Sequence, residues 1–291
     1  MRIFFTTCLL LCTQVVWSQE WIPVKGPKPF GISGMAFIDQ TSDASRFLIV
    51  HDNKATDEGR LAIVTDYGLF NQYTYLFWPD SNNLPKDLES ITSIPDLPGQ
   101  FMVMTSLGKV WHITVDTNLN VSILRTFTVP GVLDTDNFEG LSLQRVNTNL
   151  LMVWGHRGDD SDPGMIHWAI FDLKTAQFTA IGKEPISVAW PTKSHVRHIS
   201  DLKLNPTGIL YITSASDPGD DGPFTSAVYL AGVFSTWDKE VHFRKNTQLT
   251  RFFTFYNRKT EAIEFVPGPK GGIIFGSDDE NQGGAICKTW P

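Results

Sequence analysis

The chain reads as all-β, and within that class as a five-bladed β-propeller. Three observations predict this. Ser33, Glu89, Glu139, Ser200 and Glu261 stand 50 to 61 residues apart, each a polar or acidic residue just before an apolar strand. A repeat of that period is the signature of propeller blades. Each repeat then continues in one order, with a second apolar strand, a polar loop and a third strand. No helical period competes with these short runs, which are bounded by Gly, Pro, Asn and Asp.

The inner strands begin at Ile32-Ser33-Gly34-Met35, Leu88-Glu89-Ser90-Ile91, Phe138-Glu139-Gly140-Leu141, Ile199-Ser200-Asp201-Leu202 and Thr260-Glu261-Ala262-Ile263. Second strands are expected over 47–50, 101–104, 150–154, 209–212 and 272–275, and third strands over 61–65, 110–115, 165–171, 227–234 and 285–290. Their β-branched and aromatic residues suit a pleated, half-buried surface. Outer strands over 73–78, 121–129, 178–188 and 250–256 complete four blades. The fifth repeat has no outer strand after its third. Glu20-Trp21-Ile22-Pro23-Val24 is expected to pair there and close the ring, which removes an exposed edge. A sixth blade would follow if Trp237 to Arg244 opened another unit.

Residues 1–18 read as a signal peptide: Arg2 is the positive region, Ile3 to Val16 the apolar core, and Val16-Trp17-Ser18 the cleavage site. The expected product is residues 19–291, a single propeller domain, secreted or periplasmic. Of the three cysteines, Cys8 and Cys12 leave with that segment, so Cys287 has no disulfide partner. The formal charge of -7 becomes -8 once Arg2 is lost, which excludes the basic surface that nucleic acid or anionic lipid requires. No later apolar run is long enough to span a membrane.

In a propeller the loop leading into each inner strand and the loop between second and third strands open on the same face. Here those loops hold His51-Asp52-Asn53-Lys54, Lys86-Asp87, His156-Arg157, Lys193 to His198, Asn257-Arg258-Lys259 and Ser277 to Asn281. The column Ser33, Glu89, Glu139, Ser200 and Glu261 is expected to converge on the axis. Three carboxylates and two hydroxyls form an oxygen-only donor set that suits Ca2+ and disfavours zinc or copper. A second constellation joins His156 and Arg157 with His195, Arg197, His198 and His51: arginine can grip a carboxylate or phosphate, and histidine can move a proton near neutral pH. Of these, His156, Arg157 and His198 are the catalytic candidates. No nucleophile elbow, phosphate-binding glycine loop or zinc-protease motif occurs.

The order Ser, Glu, Glu, Ser, Glu in five successive blades resembles the central calcium site of the soluble calcium-dependent apyrases, which are five-bladed propellers. Thr260-Glu261-Ala262-Ile263-Glu264-Phe265 is similar to that family's last inner strand. The resemblance implies that Ser33, Glu89, Glu139, Ser200 and Glu261 hold the metal. It departs in the second blade, where Thr105-Ser106-Leu107-Gly108 stands in place of an Asp-Asp-Arg-Thr-Gly turn. Glu139-Gly140-Leu141 also resembles strand starts of calcium-containing lactonase and phytase-like propellers. The expected function is a calcium-dependent hydrolase of an ester, lactone or phosphoester, whose partner is a small molecule, anionic where the arginines hold it. The alternatives are a non-catalytic propeller with structural calcium that binds a small ligand or a protein, and a metal-assisted isomerase or cyclase.

Overall fold

The computed structural model describes residues 19–192, 195–237, 240–268 and 271–289. The expected signal peptide, and the end of the last third strand at Trp290, lie outside them. Among the described residues no helix is long and apolar enough to cross a membrane.

Twenty strands form five four-stranded antiparallel sheets. Blade one is β2 (Gly34–Gln40), β3 (Ser45–Val50), β4 (Leu61–Asp66) and β5 (Asn71–Leu76). Blade two is β6 (Leu88–Ser93), β7 (Gln100–Thr105), β8 (Lys109–Val115) and β9 (Val121–Thr128). Blade three is β10 (Phe138–Val146), β11 (Asn149–His156), β12 (Gly164–Asp172) and β13 (Gln177–Ile186). Blade four is β14 (Val196–Leu204), β15 (Ile209–Ser216), β16 (Thr225–Trp237) and β17 (Glu240–Tyr256). Blade five is β18 (Thr260–Val266), β19 (Gly272–Asp278) and β20 (Gly284–Thr289), completed by β1 (Ile22–Lys25). The N-terminal strand pairs antiparallel with β20, Ile22 opposite Ile286, and closes the ring as expected.

Among the described residues there is no sixth blade. The described residues of the Trp237 to Arg244 stretch instead belong to the β16–β17 hairpin, where Trp237 pairs with Glu240 and Val233 with Arg244. Two register irregularities in β16 let these long strands bend and keep pairing past the end of the sheet.

Side chains alternate across a strand, so each blade shows one apolar face to the blade before it and one to the blade after. Phe101 and Val103 pack with blade one, while Met102 and Met104 pack with blade three. Five apolar clusters result, each lying between two adjacent blades. Burial on both faces is why β3, β7 and β11 read as unbroken apolar runs.

Inner strands crowd around the axis, and glycines at two of the strand starts permit it. A Cβ on Gly34 would lie 2.9 Å from the Cα of Ser90 in the next blade, and one on Gly140 would lie 2.8 Å from the backbone nitrogen of Leu202. Lower in the channel the buried Lys203 reaches across from blade four. Its Nζ donates to the carbonyls of Met35 (3.2 Å) and Ile91 (3.0 Å) and lies 3.4 Å from Glu264 Oε2. A cavity of about 410 Å³ opens at that lower mouth, lined by Lys203, Glu264, Thr92 and Ser142 among others.

Candidate functional site

The same backbone device recurs at the upper end of the inner strands. In blades two, three and five the register slips by one residue between Leu88 and Ser90, Phe138 and Gly140, and Thr260 and Ala262. The residue in each slip is Glu89, Glu139 or Glu261. A β-bulge leaves its extra residue outside the ladder and re-aims its side chain. Blade four slips more widely, between Arg197 and Asp201.

The three glutamates differ in their company. Glu139 is 2 % exposed. It accepts from Arg157 Nη1 (3.1 Å) and from Arg197 Nη1 (3.2 Å to Oε2). The same Arg197 nitrogen donates to Glu261 Oε1 at 2.6 Å, and its Nη2 donates to Asp217 Oδ2 at 2.5 Å. Burial alone would pull the Arg197 guanidinium's pKa down, but Glu139, Glu261 and Asp217 hold it well above its usual value. Lys259 Nζ completes the group, 3.4 Å from Glu261 and 3.3 Å from Asp278, and pairs with Glu280. The protein thus supplies its own cations between Glu139 and Glu261.

Glu89 stands apart. It makes no hydrogen bond or ion pair with any described residue, although it is only 8 % exposed. Burial first, and then the charges of Glu139 and Asp52, push its carboxyl well above the ordinary range. Asp52, at the end of the β3 strand's chain run, also lacks such a partner, and burial with the nearby Asp278 raises it to about 6. Carboxylate oxygens of Asp52, Asp87 and Glu89 all lie within 4.8 Å of one another.

The two serines of the column also diverge. Ser200 Oγ donates to the Thr260 carbonyl (2.9 Å) and lies 3.1 Å from Thr213 Oγ1, which ties blade four to blade five. Ser33 Oγ is buried and has no partner among the described residues.

His156, Arg157 and His198 are placed differently from one another. Arg157 is 31 % exposed on its side chain, with one nitrogen on Glu139. His156 Nδ1 accepts from the Gly158 N–H at 3.2 Å, which assigns the ring proton to Nε2, 4.0 Å from Asp136 Oδ1. Burial lowers its pKa below the ordinary histidine value, so the ring is neutral at pH 7. His198 is buried, with Nδ1 accepting from Val188 N–H (3.2 Å) and Nε2 facing the Asp160 carbonyl (3.0 Å). Both its nitrogens are committed to backbone. His51 is likewise spent, on the Gly31 carbonyl (2.5 Å) and the Tyr73 hydroxyl (3.1 Å).

The axial reading of the sequence assigned no part to Lys259, Asp217, Asp52 or Asp87. All four lie in loops of the upper face. The nearest sequence signal is Asp87, two residues before Glu89 and so on the same strand start.

No protein-family model and no curated protein matches the chain. Solved structures align with most of the chain. One described as a glycoside hydrolase aligns over 90 % of this chain with 11 % identity and a TM-score of 0.51; the chain spans 62 % of that protein's length. A thermostable family-43 glycoside hydrolase aligns over 91 % of this chain and 90 % of its own, with 8 % identity and a TM-score of 0.49. An α-L-arabinanase of Penicillium chrysogenum, solved with arabinobiose, aligns over 94 % of this chain and 97 % of its own, with 9 % identity and a TM-score of 0.46. The class that fold and comparisons define together is a five-bladed β-propeller with structural neighbours among propeller glycoside hydrolases.

Proposed function

We propose that the protein is a hydrolase acting at the upper mouth of its channel on a small, oxygen-rich or anionic molecule. The observation that carries this reading is the bridging of Glu139 and Glu261, from two blades, by Arg197 beside the partly exposed Arg157, with the unpartnered Glu89 near enough to feel both charges. Arg157 has one nitrogen on Glu139 and a side chain that is 31 % exposed, so it is oriented by one carboxylate and open to a second from a substrate. The Nε2–H of the neutral His156 is a hydrogen-bond donor at the same rim.

The oxygen-only donors around Glu89 fit calcium, the expected cofactor, better than a metal that prefers nitrogen or sulfur. When bound, such an ion would polarise a substrate oxygen and make water a better nucleophile. Glu139, fixed by two arginines, keeps Arg157 in place, and Glu261 is fixed by Arg197 and Lys259. The fold likeness to a glycoside hydrolase is compatible with this chemistry without choosing a substrate, because fold alone does not fix function.

The test is turnover of nucleotides, phosphoesters, lactones, aryl esters and aryl glycosides, with calcium and with chelator. Activity on one class that disappears on chelation, and falls tenfold or more in Arg157→Ala with a smaller loss in His156→Ala, supports the reading. Full activity in Arg157→Ala would refute the part given to the arginine.

The neutralisation of Glu139 and Glu261 by Arg197 and Lys259 favours a second reading, a non-catalytic propeller whose ion and charged network hold the channel together. Calcium that raises the melting temperature with no turnover on any substrate supports it, since a ligand bound only by the folded state stabilises that state.

A further inference from the structure

We propose that Asp52, Asp87 and Glu89 form a site for a hard divalent cation of calcium's kind at the junction of blades one and two, to one side of the five-residue axial column. The inference concerns binding and stands whether or not the protein is a hydrolase.

Clustering alone would not carry it, because acidic residues often gather without an ion. The second observation is that two of the three carboxylates have no protein partner. Glu89, more than nine-tenths buried, turns its oxygen to within 4.8 Å of those of Asp52 and Asp87, yet takes no hydrogen bond or ion pair from any described residue. Asp52, only partly buried, likewise turns a carboxylate oxygen into the group and has no hydrogen-bond or ion-pair partner among the described residues. Buried charge is costly unless paired, so an arrangement of this kind asks for a cation from solution. Asp87 is held for the purpose: Ser106 Oγ donates to its Oδ2 at 2.5 Å, and Lys54 Nζ lies 2.8 Å from its Oδ1. Lys54 is 69 % exposed on its side chain, and its charge is screened accordingly.

The rest of the column argues for the sideways location. Arg197 bridges Glu139 and Glu261, and Ser200 Oγ is committed to Thr260 and Thr213. Of the five column residues, Glu89 and Ser33 take no side-chain hydrogen bond from a described residue, and they sit at the starts of adjoining inner strands whose backbones approach closely at Gly34 and Ser90. Calcium binds oxygen at about 2.3 to 2.6 Å, so ligands on opposite sides of one ion stand about 5 Å apart. A set within 4.8 Å fits that sphere, with water filling the remaining positions.

The experiment is calorimetric titration of the calcium-stripped full chain with calcium chloride alone, repeated with magnesium and manganese chlorides. The wild type is expected to bind one ion. Asp52→Asn and Glu89→Gln are each expected to weaken binding at least tenfold, while Ser200→Ala leaves it unchanged. The melting temperature of ion-free Asp52→Asn is expected to equal or exceed that of ion-free wild type, because the substitution removes repulsion, and this separates lost binding from lost folding. Absence of binding by any of the three ions at millimolar concentration overturns the site. So does binding that survives in Asp52→Asn, or that is lost in Ser200→Ala, which would return the ion to the axis.

Discussion

Replacing Arg197 with methionine tests whether the charged network carries stability at the axis. The guanidinium is 18 % exposed and contacts Glu139, Glu261 and Asp217 at once. Removing one partner from a buried ion pair costs about 3 to 5 kcal/mol, because the carboxylates left behind stay desolvated and uncompensated. Arg157 still reaches Glu139 at 3.1 Å and Lys259 still reaches Glu261 at 3.4 Å, so the loss belongs at the low end, about 3 kcal/mol. For a domain of this size that corresponds to a fall of roughly 6 to 12 °C in melting temperature. Arg197→Lys should fall between the two, since a single ammonium cannot match the fork across three carboxylates. Urea unfolding at pH 7, followed by tryptophan fluorescence, measures the difference. A loss below about 1 kcal/mol would refute the reasoning, since it would mean that the network contributes no more than an exposed ion pair.

Two further outcomes are expected. His167 stacks on Trp154 with ring centroids 5.5 Å apart, and burial with the nearby Lys183 lowers its pKa to about 4. The unfolded chain therefore takes its proton first, and stability falls as pH drops from about 6.5 to 4, by about 1 to 2 kcal/mol after screening on its open side. Subtracting the profile of His167→Gln from that of wild type isolates the effect; parallel profiles would exclude it. Asp201 is pushed up to about 8 by burial and accepts the N–H groups of Leu202 (2.7 Å) and Ile263 (2.8 Å) with separate oxygens. The Nδ2 of Asp201→Asn cannot accept, so one buried N–H loses its partner and the protein loses about 1 to 3 kcal/mol in urea melts. An unchanged midpoint would show that the two bonds are not needed.

Strand order, blade number and ring closure were legible because they depend on the local apolar period, which each repeat carries within its own residues. Unbroken runs such as Phe101 to Met104 mark strands covered on both faces, and the blade-to-blade clusters account for that. Trp237 to Arg244 was ambiguous for the same reason: a hairpin tip and the start of a blade have one local pattern, and only the pairing with β16 separates them. The site was legible at its strand starts and opaque beyond them. Whether Arg197 lies in a loop or at the axis is decided by a slip of register between Arg197 and Asp201, which no residue type announces. Asp52 and Asp87 come from loops of different blades and meet only because the ring brings blade two beside blade one.

Lys203 has a consequence for traffic. By tying blade four to the backbones of blades one and two and approaching Glu264 of blade five, it works as a crossbar over the bore. The lower hollow of about 410 Å³ is lined by that crossbar, and blocking it should leave exchange at the acidic rim untouched.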